Sequence, residues 1–138
     1  ISQDRESLTL QPPAWPRELD VLLSSLDAAK PTKSDRRSNA RLRHRVAATL
    51  HVHGPGGADP VTVYTRDADP RGIGFVTREC LPLGYNAHLD IVDANGQPIH
   101  APCTIYRCRT VAPGWFEGAL LFDRPQSGFR VYTSDFEG

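Results

Sequence analysis

RLRHRVAATLHVH, residues 41–53, contains the change of period on which the fold turns. Through Arg45 it is a run of arginines. From Val46 onward apolar and polar residues alternate, with Val46, Ala48, Leu50 and Val52 on one side and Ala47, Thr49, His51 and His53 on the other. Alternation of period two marks a half-buried strand, because successive side chains of an extended backbone point to opposite faces. Five more β-like runs follow, at 60–66, 72–78, 86–93, 99–111 and 114–123. GPGGADP ends the first strand, and DADPR, LPLG, ANGQ and APG separate the rest. Within ANGQ, the pair Asn95-Gly96 favours a tight hairpin turn. About six short strands punctuated in this way predict an antiparallel barrel or sandwich, so the fold class is mainly all-β.

Upstream of the strands the period is helical. Between Ala14 and Ala29, Trp15, Leu19, Leu22, Leu23 and Leu26 recur near helical spacing, and Pro16 suits a first turn. One amphipathic helix is expected, stopped by Pro31. Residues 1–12 are polar and patternless, and the segment RPQSGFRVYTSDFEG after Asp123 has aromatics without a clear period. The expected organisation is an N-terminal tail and helix over residues 1–35, a β domain over 36–123 and a C-terminal extension over 124–138.

With 138 residues the chain has room for one domain of ordinary size. Lys and Arg total 16, as do Asp and Glu, so bulk charge argues against a nucleic-acid coat protein or a polybasic membrane binder. No apolar run approaches the length of a membrane span, and the first residues lack the basic region and apolar stretch of a signal peptide. A cytoplasmic protein is expected. The three cysteines, Cys80, Cys103 and Cys108, have no CxxC spacing and read as buried thiols. On an uninterrupted strand Cys103 and Cys108 would face opposite ways.

Neutrality overall hides a local imbalance. From Lys30 to Arg45 the chain carries Lys30, Lys33, Arg36, Arg37, Arg41, Arg43 and Arg45 against the single acid Asp35. Guanidinium groups fork onto phosphate oxygens and stack on flat rings, so the segment suits a ligand that combines phosphates with bases; a solvated basic linker would look the same. A second segment, Asp67-Ala68-Asp69-Pro70-Arg71-Gly72-Ile73-Gly74-Phe75, lies between two strands. Gly72 permits a positive φ or a close approach, and a carboxylate at Asp67 or Asp69 can accept two hydrogen bonds from a guanine edge. The same residues also make an ordinary turn.

In their order and spacing these segments resemble the PilZ domain, a bacterial family best known for binding cyclic di-GMP. Its RxxxR motif is similar to Arg41-Leu42-Arg43-His44-Arg45, with Arg37 to Arg41 as an overlapping match. Its (D/N)xSxxG motif is similar to Asp67-Ala68-Asp69-Pro70-Arg71-Gly72, and residues 105–109 with 114–122 resemble its closing hairpin. The resemblance implies a six-stranded antiparallel β-barrel with an N-terminal α-helix, and a non-catalytic cyclic di-GMP receptor or adaptor. Arg37, Arg41 and Arg45 would clasp phosphates and stack on guanines, Asp67 and Asp69 would read a base edge, and Gly72 would let the backbone approach. Ordering of the basic arm would alter the surface that the helix sees and so signal to a protein partner. No cofactor is implied beyond the ligand, cyclic di-GMP.

One position departs from the motif: Asp69 stands where the family has Ser. An ionised carboxylate only accepts hydrogen bonds and brings negative charge toward a doubly anionic ligand. Asp69 would then read a guanine edge, be neutralised by Arg71, or pair with Arg41 or Arg45 and fill the pocket. The last case gives the alternative function, a degenerate PilZ domain that serves as a protein interaction module. Two other classes compete less well. His51 and His53 share a strand face that His88 or His100 could join at a metal, but no Glu neighbours the pair in sequence and solvent-facing histidines explain them, so no metal is expected. Single-stranded nucleic acid suits a basic arm on a barrel, against which stand net neutrality and aromatics in core-like patterns at Phe75, Trp115 and Phe122. No GxSxG or other nucleophile context occurs, so no catalytic residue is expected.

Overall fold

The computed structural model describes residues 15–29, 42–54 and 57–130. Helix α1 (Glu18–Ala29) precedes seven strands, β1 (Leu42–Arg43), β2 (Ala47–Gly54), β3 (Gly57–Asp69), β4 (Gly72–Thr77), β5 (Asn86–Val92), β6 (Pro98–Ala112) and β7 (Trp115–Phe122), and a single 3-10 turn at Ser127–Phe129 ends the series. The sheet runs β3-β2-β5-β6-β7-β4 and closes through β3–β4, every pair antiparallel, so six strands form a barrel without free edges. The two-residue strand β1 is an addition to the expected set, pairing with Asp67 and Ala68 of β3 just beyond the stretch of β3 that pairs with β2. β3 starts earlier than expected, since Gly57 to Pro60 pair with β2; residues 55 and 56 lie outside the described residues.

Alternation does the work predicted for it. Ala48, Leu50 and Val52 enter the barrel from β2, Ala87, Leu89 and Ile91 from β5, and Leu120 and Phe122 from β7. Phe75 fills the middle, where Gly118 leaves room against its ring. A second, smaller cluster forms outside the barrel, where Leu19 and Leu23 of α1 bury against Val76 and Trp115, with Trp15, Leu22, Leu26 and Tyr64 around them. Trp115 therefore belongs under the helix and not in the barrel interior. The helix itself begins at Glu18; Trp15 and Pro16 precede it, and Glu18 and Asp20 place negative charge in its first turn, where the backbone dipole favours it.

Two strands contain bulges that reverse side-chain parity. In β6 the register slips at Tyr106, between Ile105 and Arg107, and Cys108 returns to the core side to pack against the barrel cluster. The opposite facing expected of Cys103 and Cys108 assumed an uninterrupted strand and does not hold. Cys103 is buried, and burial with the nearby Asp123 charge pushes its thiol up to about 12; Cys80, expected to be buried, is exposed. At the β5–β6 turn Gly96 takes φ of 82°, Asn95 has no positive φ, and the Asp93 carboxylate accepts the amides of Asn95 and Gln97, so Asp93 and Gly96 make the turn.

The segment after Asp123 has a definite place. Phe129 is fully buried, stacks on Phe122 at 5.9 Å between centroids and meets the His44 ring edge-on at 5.2 Å. It plugs one end of the barrel. Phe129→Ala should lower unfolding free energy by about 3–5 kcal/mol in chemical denaturation; a loss below about 1 kcal/mol would show that the plug adds little to the core.

Candidate functional site

The short strand β1 brings together the two motifs read from the sequence. Leu42 pairs with Ala68 and Arg43 with Asp67, so the end of the arginine segment lies antiparallel to the start of the Asp67–Gly72 hairpin. Beyond β1 the backbone on both sides of Arg45 is tied to one residue, Thr65. Its hydroxyl donates to the His44 carbonyl and accepts from the Val46 amide at 3.0 Å, and its own amide donates to the Val46 carbonyl at 2.9 Å. The His44 ring is fixed as well, its Nε2 donating to the Val92 carbonyl at 2.7 Å. The backbone on both sides of Arg45 is thereby fixed.

A bulge decides where the carboxylates point. In β3, Val61, Val63 and Thr65 face inward, and without interruption Asp67 and Asp69 would follow them into the core. The register slips between Thr65 and Asp67, Arg66 takes the extra position, and Ala68 goes inward instead. Asp67 then lies outside over Gly74, where a Cβ would stand 2.9 Å from Asp67 Oδ1. Asp69 Oδ1 accepts the backbone amides of Arg71 at 2.8 Å and Gly72 at 3.1 Å, so this carboxylate caps the hairpin turn. Gly72 does not use a positive φ, contrary to one reason given for it; a Cβ there would overlap the carbonyl oxygen of Leu120 on β7. Arg37 and Arg41 lie outside the described residues.

The partner of Arg45 was not foreseen. Arg45 Nη2 donates to Asp27 Oδ2 at 2.7 Å, and Asp27 is in the last turn of α1. The same carboxylate accepts Arg66 at 3.2 Å and Arg43 at 3.5 Å. Arg66 reaches onward to Glu117 at 3.5 Å, which also receives Arg107 and, at 3.1 Å, Arg109. Glu117 is on the outer face of β7 yet only 1% exposed, because these arginine side chains cover it. The Nε groups of Arg45 and Arg66 are buried with no hydrogen-bond partner, so both keep a donor unspent. Sequence reading passed over Asp27, Arg66 and Glu117. The one signal was an acidic residue inside the apolar strand WFEGALLF, which asks for a cation.

A family model for the PilZ domain matches residues 35–129, which takes in both motifs and the whole barrel. The chain belongs to the PilZ domain family. Comparison with curated proteins gives no match. Membership implies cyclic di-GMP binding or a PilZ-type adaptor function, and PilZ domains are generally non-catalytic. Among the described residues no helix is long and apolar enough to cross a membrane.

Burial alone would raise the Asp27 carboxyl, but hydrogen bonds from Arg45 and Arg66, and then their charges, outweigh it and hold the group below its ordinary value. A depressed carboxylate pKa contributes stability above the unfolded value, about 3.9, which is lost as pH falls through the folded one. Asp27 is 36% exposed, so the contribution is below about 1 kcal/mol. Acidification through about pH 4 should therefore loosen α1 before the barrel melts, read as a change in Trp15 and Trp115 fluorescence that Asp27→Asn removes. An identical acid transition in that variant would show that Asp27 does not hold the helix.

Proposed function

We propose that this PilZ domain is a non-catalytic cyclic di-GMP receptor of the bacterial cytoplasm, in which Arg45 exchanges the Asp27 carboxylate for a ligand phosphate. The observation that supports this most is the position of Arg45: its backbone tied to Thr65, beside the Asp67–Gly72 hairpin, and its side chain held by a carboxylate of helix α1. Arg41 and Arg37 extend the clasp, Asp67 and Asp69 face the guanine edges, and Gly72 keeps the hairpin close to β7. Arg66, with its unspent Nε donor, adds to the phosphate contacts. No bond is made or broken; the output is a change in surface.

The route of the signal follows from the shared arginine. A phosphate that takes Arg45 removes the shortest of the three contacts to Asp27, and α1 then keeps Arg66 and Arg43 at Asp27, its apolar contacts with Val76 and Trp115, and the Arg78–Glu18 pair at 2.6 Å. The loosened helix, whose Val21 is exposed, is the surface a protein partner meets. The partner is a protein, not a nucleic acid polymer or a membrane.

Titration calorimetry with cyclic di-GMP, with GTP and GMP as controls, tests the proposal. The parent should bind saturably, and Arg45→Ala should weaken binding about ten- to a hundredfold, the loss of one charge-assisted contact. Asp27→Asn should strengthen it about two- to fivefold, because a partly exposed ion pair no longer has to be broken. Affinity within twofold of the parent in Arg45→Ala would remove Arg45 from the site.

A second reading has its own observation. Asp69 stands at the motif Ser, and its Oδ1 is engaged by the amides of Arg71 and Gly72. In an adaptor without a ligand the Asp27–Arg45 contact would be permanent and the α1 surface constant. Silence in the titration from a folded sample supports that reading.

A further inference from the structure

The arc of the barrel opposite the arginine site gathers histidines. Of the five in the chain, His51 and His53 project from β2, His88 from β5 and His100 from β6, all outward, with Asp90 of β5 among them. Register makes this a grid. His51 lies directly across from His88, and Asp90 lies across from His100. Cross-strand partners have Cβ atoms about 4.5–5.5 Å apart, and residues two apart share a face, so three neighbouring strands deliver five chelating groups to one patch.

The side chains converge as the backbone dictates. His51 Nε2 is 3.0 Å from Asp90 Oδ2, His100 Nδ1 is 2.5 Å from Asp90 Oδ1, and His53 Nε2 is 2.8 Å from His88 Nδ1. The His51 and His88 rings stack with centroids 4.5 Å apart, and His100 approaches His88 to 4.1 Å. One ligand atom each from His51, His88 and Asp90 lie within 4.8 Å of one another. Tetrahedral zinc with bonds of about 2.0–2.1 Å sets its ligand atoms about 3.3 Å apart, a closure that side-chain rotation supplies.

We propose that His51, His88 and Asp90 bind a late first-row divalent metal ion, of which Zn²⁺ is the representative. Two imidazoles and a carboxylate are a donor set such ions accept, with a fourth position left for water or a further imidazole. The surrounding groups support the ligands. With its proton on Nδ1, His88 makes the bond to His53 Nε2 and keeps the Nε2 lone pair for the ion, while His100 holds the second oxygen of Asp90. An open groove of about 420 Å³, lined by Thr49, Ile99 and His100 among others, reaches the Asp90 carboxylate. The carboxylate that sequence reading did not find beside His51 and His53 comes from the next strand.

Titration calorimetry of untagged, chelator-treated protein with Zn²⁺ tests the site. Expected are one ion per chain with micromolar or tighter affinity, weakened at least tenfold by His51→Gln, His88→Gln or Asp90→Asn, and less by His100→Asn. All four positions face outward, and circular dichroism checks that the variants fold. Co²⁺ bound to the parent should show the intense visible bands of a four-coordinate ion, a readout that needs no variant. Saturation only at millimolar zinc, affinity unchanged in His88→Gln, or the weak spectrum of six-coordinate Co²⁺ would each overturn the proposal.

Discussion

The Asp27 carboxylate is the point where the helix, the arginine motif and the barrel meet. It accepts Arg43, Arg45 and Arg66, and through Arg66 it is joined to Glu117 and so to Arg107 and Arg109. In this network five guanidinium groups contact two carboxylates, with two Nε donors left over. An arrangement with more cation than anion and donors unspent is a poor way to add stability, since burying charge without full pairing is costly. Asp27 then has two consequences at once: it docks the last turn of α1 and engages Arg45, the guanidinium proposed for the ligand phosphate.

The barrel makes this possible by fixing both sides of the contact. Thr65 immobilises the backbone around Arg45, and the bulge at Arg66 sends Asp67 and Asp69 outward while directing the Arg66 side chain to Asp27. Apolar burial of Leu19 and Leu23 supplies most of the helix docking, about 1.5–3 kcal/mol for each fully buried side chain. The partly exposed ion pair adds little by comparison. In the proposed mechanism that small term is the one the ligand changes, so the helix would respond to binding without unfolding.

Much of the fold was legible because its signal is local. Alternation gave the six barrel strands, helical spacing gave the α1 face, and the ordered pair of short motifs gave the family. What the sequence concealed depends on pairing between distant segments. The bulges at Arg66 and Tyr106 leave no mark in composition, yet they decide the facing of Asp67, Asp69 and Cys108. Asp27 looks like any polar residue of an amphipathic helix until the helix is laid on the barrel. Asp90 gains its relation to His51 from strand register, and Phe129 its burial from the closing turn, neither of which periodicity can supply.

Amide hydrogen exchange across residues 19–29, with and without saturating cyclic di-GMP, tests the central claim most directly, because it reads the helix and not the ligand. The account predicts that the nucleotide binds and that these amides then exchange faster in the parent, while in Asp27→Asn they are fast already and change little. Binding with unchanged or slower exchange in the parent would contradict it, and would mean that Arg45 is not shared between the helix and the ligand.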